Sequence, residues 1–259
     1  MSTIDYRTQL RTQQASLPTP TGNATYGPAR GSRYGELYTV PVLQSRWAHA
    51  LEGTYFIAHN ATNDAATTLA GHAAPVLADA DDTMTKPFVF VRNPSSSTSP
   101  TLVILDYIRI TVVTAGATGS TASYACQLDT GATRRSSAGT ALTIVNPNMQ
   151  SSAQSVLDSS LQLLGGAMVA GAENSGVRHL GHGDIRPTIE VAGDVKLFRF
   201  GIDPITSGDG LATAKRESTI ALPPVILGPT DQFLLALYAP SQNAAGVYKL
   251  EMGWVERAA

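Results

Sequence analysis

The sequence predicts an all-β protein: an antiparallel β-sandwich, jelly-roll-like, with an extended N-terminal arm. Three observations predict it. Some eleven apolar runs of strand length are separated by turn-rich stretches, the last run alternates cleanly between apolar and polar residues, and residues 1–35 are too polar to build a core of their own. With 259 residues the chain can bury a full core as one body, or as two packed β subdomains, without disulfide staples.

The arm comes first. In SLPTPTGNATYGPARGSRYG, Pro18, Pro20 and Pro28 hold an extended φ and donate no N–H, while the intervening glycines loosen the rest. Burial cannot offset the ordering entropy of such a segment, so it is expected to order only against another surface. Its candidate partner-binding residues are Tyr6, Arg7, Arg11, Tyr26, Arg30, Arg33 and Tyr34, because Tyr and Arg carry much of the energy at protein interfaces.

Residues 36–259 form the expected β body. Strands are predicted at 36–43, 53–58, 86–93, 101–113, 122–128, 140–145, 187–192, 195–202, 218–227, 232–240 and 247–257. In 86–93, Phe88 and Phe90 alternate with Val89 and Val91; in 101–113, Asp106 and Arg109 are expected at surface or bulge positions. Phe233, Leu235 and Leu237 as well as Leu234, Ala236 and Tyr238 make 232–240 apolar on both faces, which is the pattern of an inner strand. Tyr248, Leu250, Met252 and Trp254 then alternate with Lys249, Glu251 and Gly253, giving one buried and one wet face. Pro240 and the following turn suggest that these last two strands form a terminal hairpin. Residues 59–82 read as a long excursion between strands, and 146–171 as a polar loop leading into another strand, in preference to a helix through Val156, Leu157 and Leu161.

Charge and motifs narrow the chemistry. A net charge of −2 with 15% charged residues gives no global field toward nucleic acid or an anionic membrane. The start MSTIDYRTQL has no basic or apolar leader region, and no apolar run approaches the ~20 residues that span a bilayer, so an aqueous setting is expected. The single cysteine, Cys126, lies in a strand-like run where a thiol packs. Asp129-Thr130-Gly131 echoes the loop of retroviral-type aspartic proteases, and Ile226-Leu227-Gly228 their apolar strand, but Gln127 stands where an apolar residue belongs and turn chemistry explains the triplet as well.

His179, His182 and Asp184 are close enough in sequence to share a metal, with His59, His72, Asp79, Asp81 and Asp82 as further donors. Nothing in the sequence brings the two groups together, and a glycine-flanked loop bonded to backbone or water is the simpler expectation. Arg134 and Arg135 fit a turn, and the Asn-x-Thr triplets at Asn23 and Asn60 are expected by chance in a Thr-rich chain. Phosphate-loop, dinucleotide and nucleophile-elbow patterns are missing. No catalytic, cofactor or metal site is therefore assigned, and a non-catalytic role is expected.

The polar arm, the Ser, Thr, Ala and Gly-rich body, the low charge, the one cysteine and the ending QFLLALYAPSQNAAGVYKLEMGWVER together resemble the small virion proteins of tailed bacteriophages. Within that group the chain is most similar to head decoration, or cement, proteins. That resemblance implies a homotrimer on the outside of the capsid, assembled in the host cytoplasm. Its partners would be the major capsid protein and its own copies, with no nucleic acid and no membrane. It implies too that the arm spreads over the shell or clamps a neighbour and reinforces it. A tail-associated or receptor-binding module for a host surface ligand stays open beside it, as does a retropepsin-like protease.

Overall fold

The structure is a computed structural model that describes residues 45–60, 65–67, 87–115, 123–130, 135–136, 140–157, 162–163, 168–169, 178–185, 190–202, 217–238 and 246–259. By its internal contacts the chain divides into Met1–Ala48 and His49–Ala259, and the described strands belong to the second unit. The predicted arm, and the predicted strand at 36–43, lie outside the described residues.

A short helix, α1 (Ser45–Glu52), leads in, and Gly53 at φ 72° ends it, with the Gly53 and Thr54 amides bonded back to the Ala50 and His49 carbonyls. The strands follow as β1 (Tyr55–His59), β2 (Ala65–Thr67), β3 (Val89–Arg92), β4 (Thr101–Thr114), β5 (Ser123–Thr130), β6 (Arg135–Ser136), β7 (Thr140–Ala141), β8 (Thr143–Val145), β9 (Gln162–Leu163), β10 (Met168–Val169), β11 (Arg178–Asp184), β12 (Val195–Phe200), β13 (Glu217–Leu222), β14 (Ile226–Leu227), β15 (Asp231–Tyr238) and β16 (Gly246–Ala258).

They form two sheets and a ribbon. The first sheet runs β13-β12-β4-β16-β1-β8, with β14 on β4 and β2 on β16; the second runs β11-β5-β15-β3-β9-β7; β6 and β10 pair separately.

Eight strands make the frame. In chain order they are β1, β3, β4, β5, β11, β12, β15 and β16, and the first pairs with the eighth, the second with the seventh, the third with the sixth and the fourth with the fifth, all antiparallel. The chain is thus one long hairpin of four strand pairs. Successive pairs fall alternately in the two sheets, and β4–β16 and β5–β15 close the roll. That connectivity is a jelly roll, as expected from sequence.

Period-two alternation decides which side chains fill the space between the sheets. Val103, Leu105, Ile108, Ile110 and Val112 of β4, with Tyr248, Leu250, Met252 and Trp254 of β16, pack against Val89, Val91, Cys126, Phe233, Leu235 and Leu237 of the second sheet. Edge-on ring contacts join the sheets: Phe200–Phe233 and Tyr124–Phe198 at 5.4 Å between centroids, and Phe88–Tyr248 at 5.6 Å. Such pairs contribute about 0.5–1.5 kcal/mol each beyond their buried area. In β4 the inward parity changes between Leu105 and Ile108. Asp106 is the extra residue of a β-bulge, since Tyr107 faces Gly253 and Leu105 faces Trp254.

Four expectations need correction. β15 and β16 are not a terminal hairpin: β15 pairs with β3 and β5 in the second sheet, β16 with β1, β2 and β4 in the first. HLGHGD is not a loop but most of β11, because the facing edge of β5 supplies a backbone ladder that needs no apolar side chains. The described part of 187–192 is not a strand; Val191 N–H bonds to Asp194 Oδ2 and Asp194 N–H to the Val191 carbonyl, forming the turn that starts β12. The run 218–227 divides into β13 and β14 around Pro223 and Pro224, whose missing N–H groups cannot extend a ladder.

Candidate functional site

The wet face of the first sheet carries a built constellation that opens to solvent. It arises where β1 leaves β16. The last β1 pairing is His59 with Glu251, and β2 takes up the same edge of β16 only at Tyr248. Asn60 fills the step between them. Its Oδ1 accepts from Leu250 N–H at 3.0 Å and its Nδ2 donates to the Tyr248 carbonyl at 3.2 Å, so a side-chain amide stands in for a strand residue. The first strand can then turn away without orphaning the backbone of β16.

Beside this break lies a cleft of about 320 Å³ lined by His59, Asn60, Arg109, Thr111, Lys249, Leu250 and Glu251. Register fixes its layout. His59, Glu251 and Arg109 lie in one row across β1, β16 and β4, and Lys249 and Thr111 in the next. His59, Arg109 and Lys249 are exposed. Glu251 is held by Tyr107, whose hydroxyl donates to its Oε1 at 2.6 Å, and Tyr55 makes the matching bond to Asp106 Oδ2 at 2.8 Å. Both phenols crowd over Gly253, where a Cβ would collide with the Tyr55 hydroxyl and the Tyr107 ring. Arg109 stands directly opposite Glu251 yet makes no ion pair with it, and Lys249 has no carboxylate partner among the described residues.

The residues singled out in the sequence fall elsewhere. Tyr6, Arg7, Arg11, Tyr26, Arg30, Arg33 and Tyr34 lie outside the described residues, as do His72, Asp79, Asp81, Asp82 and Asn23. Asp129 is fully buried within β5, paired with Gln232 of β15, whereas Ile226 and Leu227 form β14 in the other sheet. The loop and backing strand of an aspartic protease are therefore not assembled from these two segments. Asp106 sits at its bulge and Arg109 on the surface, as expected. Cys126 is buried, and burial pushes its thiol far above the usual range, so it packs as a small apolar group.

β11 brings its polar residues to one face. A register shift between His179 and Gly181 lets His179 face Gln127, His182 face Ala125 and Asp184 face Ser123, all on the side of the second sheet away from the core. They are strung along the strand instead of gathered, and Asp184 Oδ1 accepts from the Ser123 hydroxyl at 2.6 Å. Among the described residues no group of three His, Cys, Asp or Glu side chains is placed to hold a metal ion. Away from β11, on β5, β15 and β3, the same outer face is buried. Phe90, Ala125, Leu234 and Ala236 form a second buried apolar cluster, with Gln127 fully buried in their midst.

A further cluster escaped the sequence reading. Lys196 is buried on the inner face of β12, ion-paired with Glu190, whose Oε2 also accepts from the Tyr248 hydroxyl at 2.9 Å; the ammonium lies 5.2 Å from the Tyr248 ring centroid. The signal was present: Lys196 shares the parity of Phe198 and Phe200, the two buried rings of its strand. Comparison with known protein families, with curated proteins and with solved structures finds no match for this chain.

Proposed function

We propose that the chain is a non-catalytic virion structural protein that binds the outer surface of a bacteriophage capsid as a homotrimer and reinforces the shell. The observation that supports this best is the strand order itself, a four-pair hairpin rolled into two sheets, an architecture that recurs in viral capsid proteins. A jelly roll also serves lectins and cupins, so fold alone is an analogy. Composition adds weight. Residues 1–35 have the makeup of a segment that orders on a partner, and three such arms around a symmetry axis gain affinity through effective concentration.

The test is reconstitution. Purified protein should sediment as a trimer and rebind capsids stripped of their decoration, and a version lacking residues 1–35 should keep its fold but lose attachment. A full-length chain that stays monomeric and ignores every stripped shell offered would overturn the proposal. The outer-face cleft favours a second reading, a tail-associated or receptor-binding module, which would keep its ligand after the same truncation.

A further inference from the structure

We infer that the cleft over β1, β16 and β4 binds a carboxylated sugar, with Arg109 and Lys249 taking the carboxylate and Glu251 and His59 taking ring hydroxyls. This goes beyond the capsid proposal and does not rest on it. Arg109 and Lys249 occupy diagonal positions on adjacent strands, about 7 Å apart at the backbone, so their long side chains can converge on one oxyanion. Neither cation makes an ion pair with a carboxylate among the described residues, although Glu251 stands directly across from Arg109. The Tyr107 hydroxyl donates to Oε1 and holds Glu251 as an acceptor, and the guanidinium stays open to an incoming anion.

The same carboxylate limits the class of ligand. A polyanion such as nucleic acid would bring a second phosphate against Glu251, and the chain as a whole, at −2, offers no basic field to offset that repulsion. A neutral sugar would leave both cations unanswered. One negative charge flanked by hydroxyls matches a row that reads cation, acceptor, imidazole, with Thr111 at its edge. The volume, about 320 Å³, is at the small end for ligand sites and suits a single ring. Asn60 contributes rigidity, since its amide is committed to the β16 backbone and holds the end of β1 in place.

Amide chemical-shift titration of the full chain with D-glucuronate, D-glucose, acetate and inorganic phosphate at millimolar concentrations separates the contributions. Glucuronate is expected to shift the amides of residues 59, 109, 111, 249 and 251 in a saturable way, with glucose and acetate each markedly weaker. Arg109→Gln or Lys249→Gln should raise the glucuronate dissociation constant roughly tenfold or more while leaving the melting temperature unchanged. No saturable shift with glucuronate would overturn the inference, as would binding indifferent to both substitutions. Phosphate binding as tightly as glucuronate would overturn it too, by reducing the cleft to a general anion site.

Discussion

Lys196 and Glu190 form an ion pair sealed inside the sandwich, with Tyr248 bonded to the carboxylate and stacked near the ammonium. Desolvation and pairing act in opposite directions on the lysine. Burial dominates and lowers its pKa from lysine's ordinary 10.5 to about 7. Removing only one partner leaves the other buried and unanswered, so Lys196→Met is expected to cost about 3–5 kcal/mol, while Lys196→Met combined with Glu190→Leu recovers most of the loss. Urea unfolding of the two single variants and the double variant checks this, and additive losses would disprove the coupling.

The same lysine sets a pH dependence. Its folded pKa, about 7, lies below its unfolded value near 10.5, so across that window the unfolded chain holds a proton that the folded chain has released. Stability therefore rises with pH between about 7 and 10.5, by at most about 1.4 kcal/mol per pH unit, and the cost of burying the charge is fully present below pH 7. The difference in unfolding free energy between the native chain and the Lys196→Met, Glu190→Leu double variant removes the other titrating groups without leaving Glu190 buried and unpaired. A difference that stays flat or falls over this range would contradict the assignment.

Glu256 ties a long connection to the frame. Its carboxylate accepts from Trp254 Nε1 at 2.9 Å, from Val156 N–H at 3.1 Å and from the Ser155 hydroxyl, so a residue of β16 holds the loop that follows β8. Glu256→Ala should lower stability by about 2–3 kcal/mol, because it orphans a buried indole N–H and a loop amide together. Hydrogen exchange at Val156 and Leu157 should accelerate more than exchange in β4; equal acceleration would mean that the carboxylate does not act as a local pin.

How far the sequence could be read follows from the range of each signal. The alternation in β16 and the two-faced apolarity of β15 are local, and the structure places Tyr248, Leu250, Met252 and Trp254 inward and buries Phe233 to Leu237 as they imply. The pairing of those strands is not local. A strand, a turn and a strand look the same whether the chain closes a hairpin or arches between sheets, and only β3, β5, β1 and β4, distant in sequence, decide it. β11 was hidden because two glycines and polar side chains give it no periodicity, its stability coming from the ladder with β5. The cleft was hidden for a related reason: His59, Arg109 and Glu251 become a row only through register across three strands.

Gly253 is expected to tolerate no side chain. It faces Tyr107 across the β4–β16 ladder next to the bulge at Asp106, and the Tyr55 hydroxyl and the Tyr107 ring occupy the space a Cβ would need. Gly253→Ala should cost about 1–3 kcal/mol as the two phenols are pushed aside. It should also loosen the Tyr107 bond to Glu251 and so weaken any ligand of the cleft. A melting temperature unchanged by the substitution would show that the rings give way freely.

Gln127 is the place where the fold is expected to gain from a change. Both of its amide atoms are sealed from solvent with no hydrogen-bond partner among the described residues, and so are both ring nitrogens of His179, its cross-strand neighbour. An unanswered buried amide costs about 1–3 kcal/mol, and an apolar group of the same length removes that cost without opening a cavity. Leu234 on the other side of Gln127, with Phe90, Ala125 and Ala236, already makes the surroundings apolar. Gln127→Met is therefore expected to raise stability by about 1–2 kcal/mol, measured as a higher urea midpoint at unchanged slope. If the substitution instead destabilises, an ordered water bridges Gln127 and His179, since a bridge of that kind would already have met the cost that the methionine is supposed to remove.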